Sequence, residues 1–166
     1  RRGDFGKILG ADCYSPHTVE PTHPDFGFYG IHGVETLYTL LGTGCEAVSR
    51  IHSPMGDIVS GRWNDGRLGT FRAVVKGPAV YGGTAFTEKG TVAAGGYAGY
   101  KVLLDEILRY FKSGASPVSK EETLEIFTFM KASNMSLERG GRTVMMDEAY
   151  AEGMKEARRL LEAYDE

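Results

Sequence analysis

Residues 47–94 hold one run of two-residue alternation after another with no helical segment between them, and that feature constrains the fold most. Segments 47–52, 57–63, 67–75 and 79–87 read as strands, and 91–94 adds a short one. Asn64-Asp65-Gly66 separates the second from the third, which predicts a hairpin turn with Gly66 at positive φ. Gly77-Pro78 and Glu88-Lys89-Gly90 supply the other breaks. Consecutive strands without crossover helices pair antiparallel.

Helical spacing appears on both sides of this block. Residues 7–14 read as one more strand, followed by a loop that Pro16, Pro21 and Pro24 keep from being helical. Residues 29–41 then place Val34, Leu37, Tyr38 and Leu41 on one face, with Gly42 to end the helix. Leu104, Ile107, Leu108 and Phe111 form a second such face. Ser119 and Glu122 form a capping box ahead of a stripe of Ile126, Phe129, Met130, Ser133 and Leu137. Arg139-Gly140-Gly141 closes that helix, 142–146 reads as a short strand, and Asp147 caps a terminal helix with Tyr150, Met154, Ala157 and Leu161 inward. The fold expected is α+β, a predominantly antiparallel open-faced sheet with helices packed on one face.

A chain of 166 residues suits one domain with a core of its own. Its formal net charge of −3 and the lack of a basic block argue against nucleic acid as a partner. No apolar run reaches the roughly 18 residues of a membrane span. Cys13 and Cys45 are too few for a disulfide framework and form no CxxC pair; they fit a reducing compartment, with one disulfide between them left open. The chain begins Arg1-Arg2-Gly3-Asp4, without Met or a signal core, and reads as a piece of a longer protein. Localisation is unknown from this stretch; the cytoplasm is favoured, and export of the parent stays open.

The densest polar constellation lies on the first helix, where His32 and Glu35 are three apart and opposite the apolar stripe, with Thr36 and Thr39 on the same side. A carboxylate beside an imidazole orients the ring and supports its cation, which makes an acid–base pair; an ordinary surface pair has the same spacing. His17, His23, His32 and His52, with Glu35 or Asp25, raise the question of a metal, but neither HExxH nor paired CxxC is present and no metal is expected. No GxGxxG or GxxxxGK[ST] occurs among the 23 glycines. Arg62, Trp63, Asp65 and Arg67 crowd one hairpin, where an indole between guanidiniums and a carboxylate could stack on a sugar ring, or simply be half-buried beside its ion pairs. Asn134-Met135-Ser136 matches a glycosylation sequon but falls inside a helical stretch and is discounted.

Three stretches resemble the C-terminal domain of the glucose–fructose oxidoreductase, inositol dehydrogenase and MocA-type family. Phe28-Tyr29-Gly30-Ile31-His32-Gly33-Val34-Glu35-Thr36-Leu37 is similar to that family's D-x-G-x-H-x-x-D helix. Gly61-Arg62-Trp63-Asn64-Asp65-Gly66-Arg67 resembles a subgroup signature of its sheet. The run from Tyr100 through Phe111, Ser113-Gly114, Pro117-Val118-Ser119 and Glu121-Glu122 to Ser136, Gly140-Gly141-Arg142 and Val144 resembles its closing helices.

The resemblance implies a substrate-binding and oligomerisation domain over residues 1–146, a helical extension over 147–166, and an N-terminal Rossmann domain outside this chain. NAD or NADP would be bound by that missing domain, with no cofactor-binding residue here. His32 matches the histidine that acts at the substrate hydroxyl, and Glu35 the acidic position after it. Tyr29, Glu35, Arg62, Trp63, Asp65 and Arg67 are the expected substrate contacts. Phe28 stands where catalytic relatives carry an aspartate. The expectation is therefore an NAD(P)-dependent oxidoreductase acting on a sugar, polyol or related hydroxy compound, this part inactive alone. The alternative is a non-catalytic carbohydrate-binding or dimerisation module. A homo-oligomer would pair through the sheet face, by residues such as Val59, Phe71 and Val74.

Overall fold

Asn64, Asp65 and Gly66 turn the chain as their types dictate: Gly66 takes φ +87° and its N–H donates to the Trp63 carbonyl. The strands that this turn joins, β3 (Gly56–Trp63) and β4 (Leu68–Val74), lie at the centre of a seven-stranded sheet. The others are β1 (Ile8–Pro16), β2 (Cys45–Ser53), β5 (Gly82–Thr87), β6 (Gly90–Ala94) and β7 (Val144–Met145), in the order β6-β5-β1-β4-β3-β2-β7. The computed structural model describes residues 5–18, 20–97 and 99–164; the abrupt start at 1–4 lies outside the described residues.

Five of the six strand pairs are antiparallel, and the sixth departs from the sequence expectation. The N-terminal strand β1 inserts between β4 and β5 and runs parallel to β4, Cys13 opposite Phe71. Loop 75–81 makes room for it, because its length frees β5 from pairing with β4. Local alternation carries no trace of such a long-range insertion.

One face of the sheet is covered. Ala11, Cys13, Val59, Trp63, Phe71 and Ala73 point into a core shared with α1 (Ile31–Leu41) and α3 (Lys120–Glu138). The two helices contribute Val34, Leu37, Tyr38 and Leu41, and Ile126, Phe129 and Met130. The Ser119 hydroxyl accepts from the Glu122 N–H at 3.0 Å, as a capping residue should, and Gly140 ends α3 at φ +68°. The sequon serine, Ser136, is fully buried within α3. Both cysteines are free and buried.

The opposite face is open and mixed in character, with Asp12, Tyr14, Ser60, Arg62, Leu68 and Arg72 exposed. Val59 and Phe71 therefore cannot mediate pairing through it: both are fully buried under the helices, and only Val74 has the parity of the open face.

Two helices differ from expectation. In α2 (Lys101–Ser113) no residue is buried, so Leu104, Ile107, Leu108 and Phe111 form an apolar face with nothing on it. In α4 (Met146–Tyr164) only Met146 and Ala149 are buried, while Tyr150, Met154 and Leu161 are exposed. Periodicity creates an amphipathic helix without deciding what its apolar side meets. No helix among the described residues is long and apolar enough to cross a membrane.

Candidate functional site

The start of α1 is pinned from beneath. Loop 17–30 contains a short 3-10 turn, Asp25–Gly27, whose Phe26 is buried edge-on against Phe71 at 5.2 Å. Gly30 lies so close over Phe26 that a Cβ would sit 2.9 Å from its side chain. The Ser15 hydroxyl lies 3.2 Å and 3.3 Å from the carbonyls of Tyr29 and Gly30, which ties this loop to β1.

An ionic cluster holds the other side of the loop. The buried Arg50 of β2 donates to Asp25, to Asp57 at 2.6 Å and to Asn134 at 3.0 Å, and its guanidinium lies 4.2 Å over the Phe26 ring. His17, also buried, approaches Asp25 at 3.2 Å. Burial alone would raise the Asp25 carboxyl, but hydrogen bonds from His17 and Arg50 and the Arg50 charge outweigh it and hold that carboxyl low.

This framework presents His32 in the first turn of α1. Its Nδ1 lies 3.1 Å from Glu35 Oε2, and both side chains are half exposed, at 51% and 50%. Two phenol rings lie near the imidazole, Tyr29 at 6.1 Å and Tyr81 at 6.0 Å. Phe28 stacks edge-on with Tyr29 at 4.7 Å and tilts against His23 at 5.3 Å. The Thr36 and Thr39 hydroxyls donate to the His32 and Glu35 carbonyls at 2.8 Å and so are committed to the helix backbone. With Glu35 at one ring nitrogen, the other nitrogen of His32 has no hydrogen-bond partner among the described residues and is open to proton exchange.

The hairpin residues expected beside His32 are elsewhere. Trp63 is buried, its indole N–H donating to the Gly42 carbonyl at 2.9 Å and its ring 5.7 Å from Tyr38. It closes the C-terminal end of α1 and offers no surface to a sugar. Arg62 points from the open face of the sheet, paired with Glu46 at 3.5 Å. Asp65 and Arg67 pair at 2.6 Å beside the last turn of α1, an eleven-residue helix, so about 15 Å separates them from His32. They line a separate hollow of about 690 Å³ with Thr39, Leu40, Ala85 and Val92. Tyr29, His32 and Glu35 come together; Arg62, Trp63, Asp65 and Arg67 do not join them.

No local sequence pattern marks Tyr81 or joins Asp25, Arg50 and Asp57. Tyr81 reaches the site only because β1 pairs with β5, a contact that no local pattern announces. Of the four histidines, His17 and His52 flank the Asp25–Arg50–Asp57 cluster, engaging Asp25 and Asp57 and lining one hollow, whereas His23 engages Thr22 and His32 engages Glu35. Among the described residues no group of three His, Cys, Asp or Glu could hold a metal ion.

No protein-family model and no curated protein matches this chain. Solved structures do. A probable dehydrogenase from Thermotoga maritima matches with a TM-score of 0.69 at 18% identity, over 89% of this chain and 59% of that one. The myo-inositol dehydrogenase from Lactobacillus casei, in complex with NAD(H) and myo-inositol, matches with 0.65 at 13%, over 86% and 55%. The WlbA dehydrogenase from Bordetella pertussis, in complex with NADH and UDP-GlcNAcA, matches with 0.64 at 18%, over 87% and 56%. The chain thus has the fold of an oxidoreductase C-terminal domain, that of the inositol dehydrogenase and MocA-type enzymes. It spans less than three-fifths of the length of the dehydrogenases named here.

Proposed function

We propose that this chain is the substrate-binding and assembly domain of an NAD(P)-dependent oxidoreductase acting on a sugar, polyol or related hydroxy compound. The observation that carries the reading is the His32–Glu35 pair, half exposed at the start of α1 and backed by aromatic rings, on a fold whose neighbours are sugar and polyol dehydrogenases. NAD or NADP, held by a Rossmann domain outside this stretch, would supply the hydride acceptor. Within this chain His32 takes or relays the hydroxyl proton, Glu35 keeps the imidazole oriented and supports its cation, and Tyr29 flanks the ligand. Such an acid–base group contributes about 10²–10⁴ in rate. The mixed, open face of the sheet is the surface for assembly into a homo-oligomer.

The test is a screen of the longer protein with NAD and NADP against sugars and polyols, followed at the reduced-nicotinamide absorbance. Turnover on one of them establishes the reading. Cofactor binding without turnover on any of them favours a carbohydrate-binding or dimerisation module instead. One observation supports that second reading: Phe28, where the family motif that this helix resembles carries an aspartate, packs its ring against Tyr29 and His23.

A further inference from the structure

We propose that the hollow between the β2–β3 turn and the C-terminal end of α3 is a second ligand site, which takes an uncharged molecule with two adjacent hydroxyls. Its volume of about 400 Å³ falls in the range of small-ligand sites. Neither Tyr29, His32 nor Glu35 lines it, so the inference is independent of the reading of His32. The cluster that forms its floor is fixed in place: the backbone N–H of Arg50 donates to Ser136 Oγ of α3 at 2.9 Å, and its guanidinium spans Asp25, Asp57 and Asn134. A ligand there meets groups that are already ordered.

Two lining side chains carry unmet hydrogen bonds. His17 and Arg50 are 3% and 2% exposed, and among the described residues neither His17 Nδ1 nor Arg50 Nε has a partner. His17 Nε2 faces an Asp25 oxygen, which only accepts, so Nε2 carries the proton and Nδ1 of the neutral ring is an acceptor. Arg50 Nε is the opposite case, a donor. Buried polar groups are rarely left in this condition. Two more accessible residues of the hollow repeat the pair. His52 spends Nδ1 on Asp57 and keeps Nε2 as an acceptor, while Asn134 spends its carbonyl on Arg50 and keeps its amide N–H groups as donors. A hydroxyl both donates and accepts, so two adjacent hydroxyls match two acceptors and two donors.

Charge narrows the ligand further. Asp25, Asp57 and Glu138 set three carboxylates against the single guanidinium of Arg50, which turns an anion away. All four oxygens of Asp25 and Asp57 are engaged by Arg50, His17 and His52, so a cation gains only the exposed Glu138. Val75 and Leu137 supply apolar wall for the C–H surface of a polyol.

Nitrogen-15 NMR of this chain at pH 8 tests the site, read at the Asn134 side-chain amide and at the ring nitrogens of His17 and His52. The probes are sorbitol, gluconate, ethylammonium and cyclohexanol, each at about 20 mM, a range suited to weak sites. Expected are shifts with sorbitol at least about threefold larger than with the anion, the cation or the single hydroxyl, since only sorbitol pairs every group without a charge penalty. Glu138→Gln should keep the sorbitol response, because no ligand charge is involved. His52→Leu should lose most of it, read at Asn134. No response to any probe, which would leave the hollow to water alone, overturns the proposal. So does a response to gluconate, ethylammonium or cyclohexanol as large as that to sorbitol, or a full sorbitol response in a folded His52→Leu. Circular dichroism establishes folding, and if His52→Leu does not fold, the four-probe comparison in the unaltered chain decides.

Discussion

The ring of Phe71 on β4 occupies the space that a side chain at Gly33 of α1 would need: a Cβ there would fall 2.3 Å from the ring and 2.9 Å from the Ser15 hydroxyl. This approach presses the first turn of α1, with His32 on it, onto the sheet. Gly33→Ala should therefore lower stability by about 1–3 kcal/mol through overpacking, although alanine is the better helix former by about 1 kcal/mol. Denaturant unfolding checks this; an unchanged midpoint would mean that the helix can lift away freely.

Trp63 sits in the core and not at a ligand. Trp63→Phe removes the indole N–H that satisfies the Gly42 carbonyl and leaves a void beside Tyr38. A loss of about 2–4 kcal/mol in unfolding free energy is expected, with polyol binding at His32 unchanged in the folded protein. Altered ligand preference at full stability would contradict this assignment.

Acid should loosen the loop that carries the site. The Asp25 carboxyl is held low in the folded state, so its contribution is present above the unfolded value near 3.9 and fades as pH falls through the folded value. Unfolding free energy should decline from about pH 4 downward. Asp25→Asn should flatten that decline while destabilising the protein at pH 7, because the buried Arg50 then keeps one carboxylate partner fewer. An Asp25→Asn profile parallel to that of the unaltered chain would show that the cluster does not govern acid stability.

Both thiols should be silent. Burial pushes Cys13 and Cys45 up to about 12, so neither supplies thiolate at pH 8. A thiol-reactive disulfide reagent should find no reactive cysteine in the folded chain and both once it is unfolded; fast reaction of either in the native state would contradict the burial.

Much of the fold was legible because short-range chemistry dictates it. Asn64-Asp65-Gly66 can do little but turn, Ser119 caps α3, and the Val34–Leu41 face had to be buried. The position of β1 between β4 and β5 was not legible, since pairing across some sixty residues leaves no local mark. The site divides along the same line. His32 and Glu35 share one helical turn, so their spacing is visible in the sequence, whereas Tyr81 comes near them through a distant strand pairing that is not. The charged neighbours of Trp63 suggested a surface role, but alternation along β3 sends Arg62 and Trp63 to opposite faces of the sheet. The apolar faces of α2 and α4 were visible as periodicity, which is silent about partners.

The most direct measurement compares His32→Ala with Arg62→Ala in the longer protein, on a substrate found by the dinucleotide screen. Loss of at least about 100-fold in kcat for His32→Ala, with Arg62→Ala within about twofold, is the predicted result. A His32→Ala protein that turns over at the unaltered rate would contradict the account.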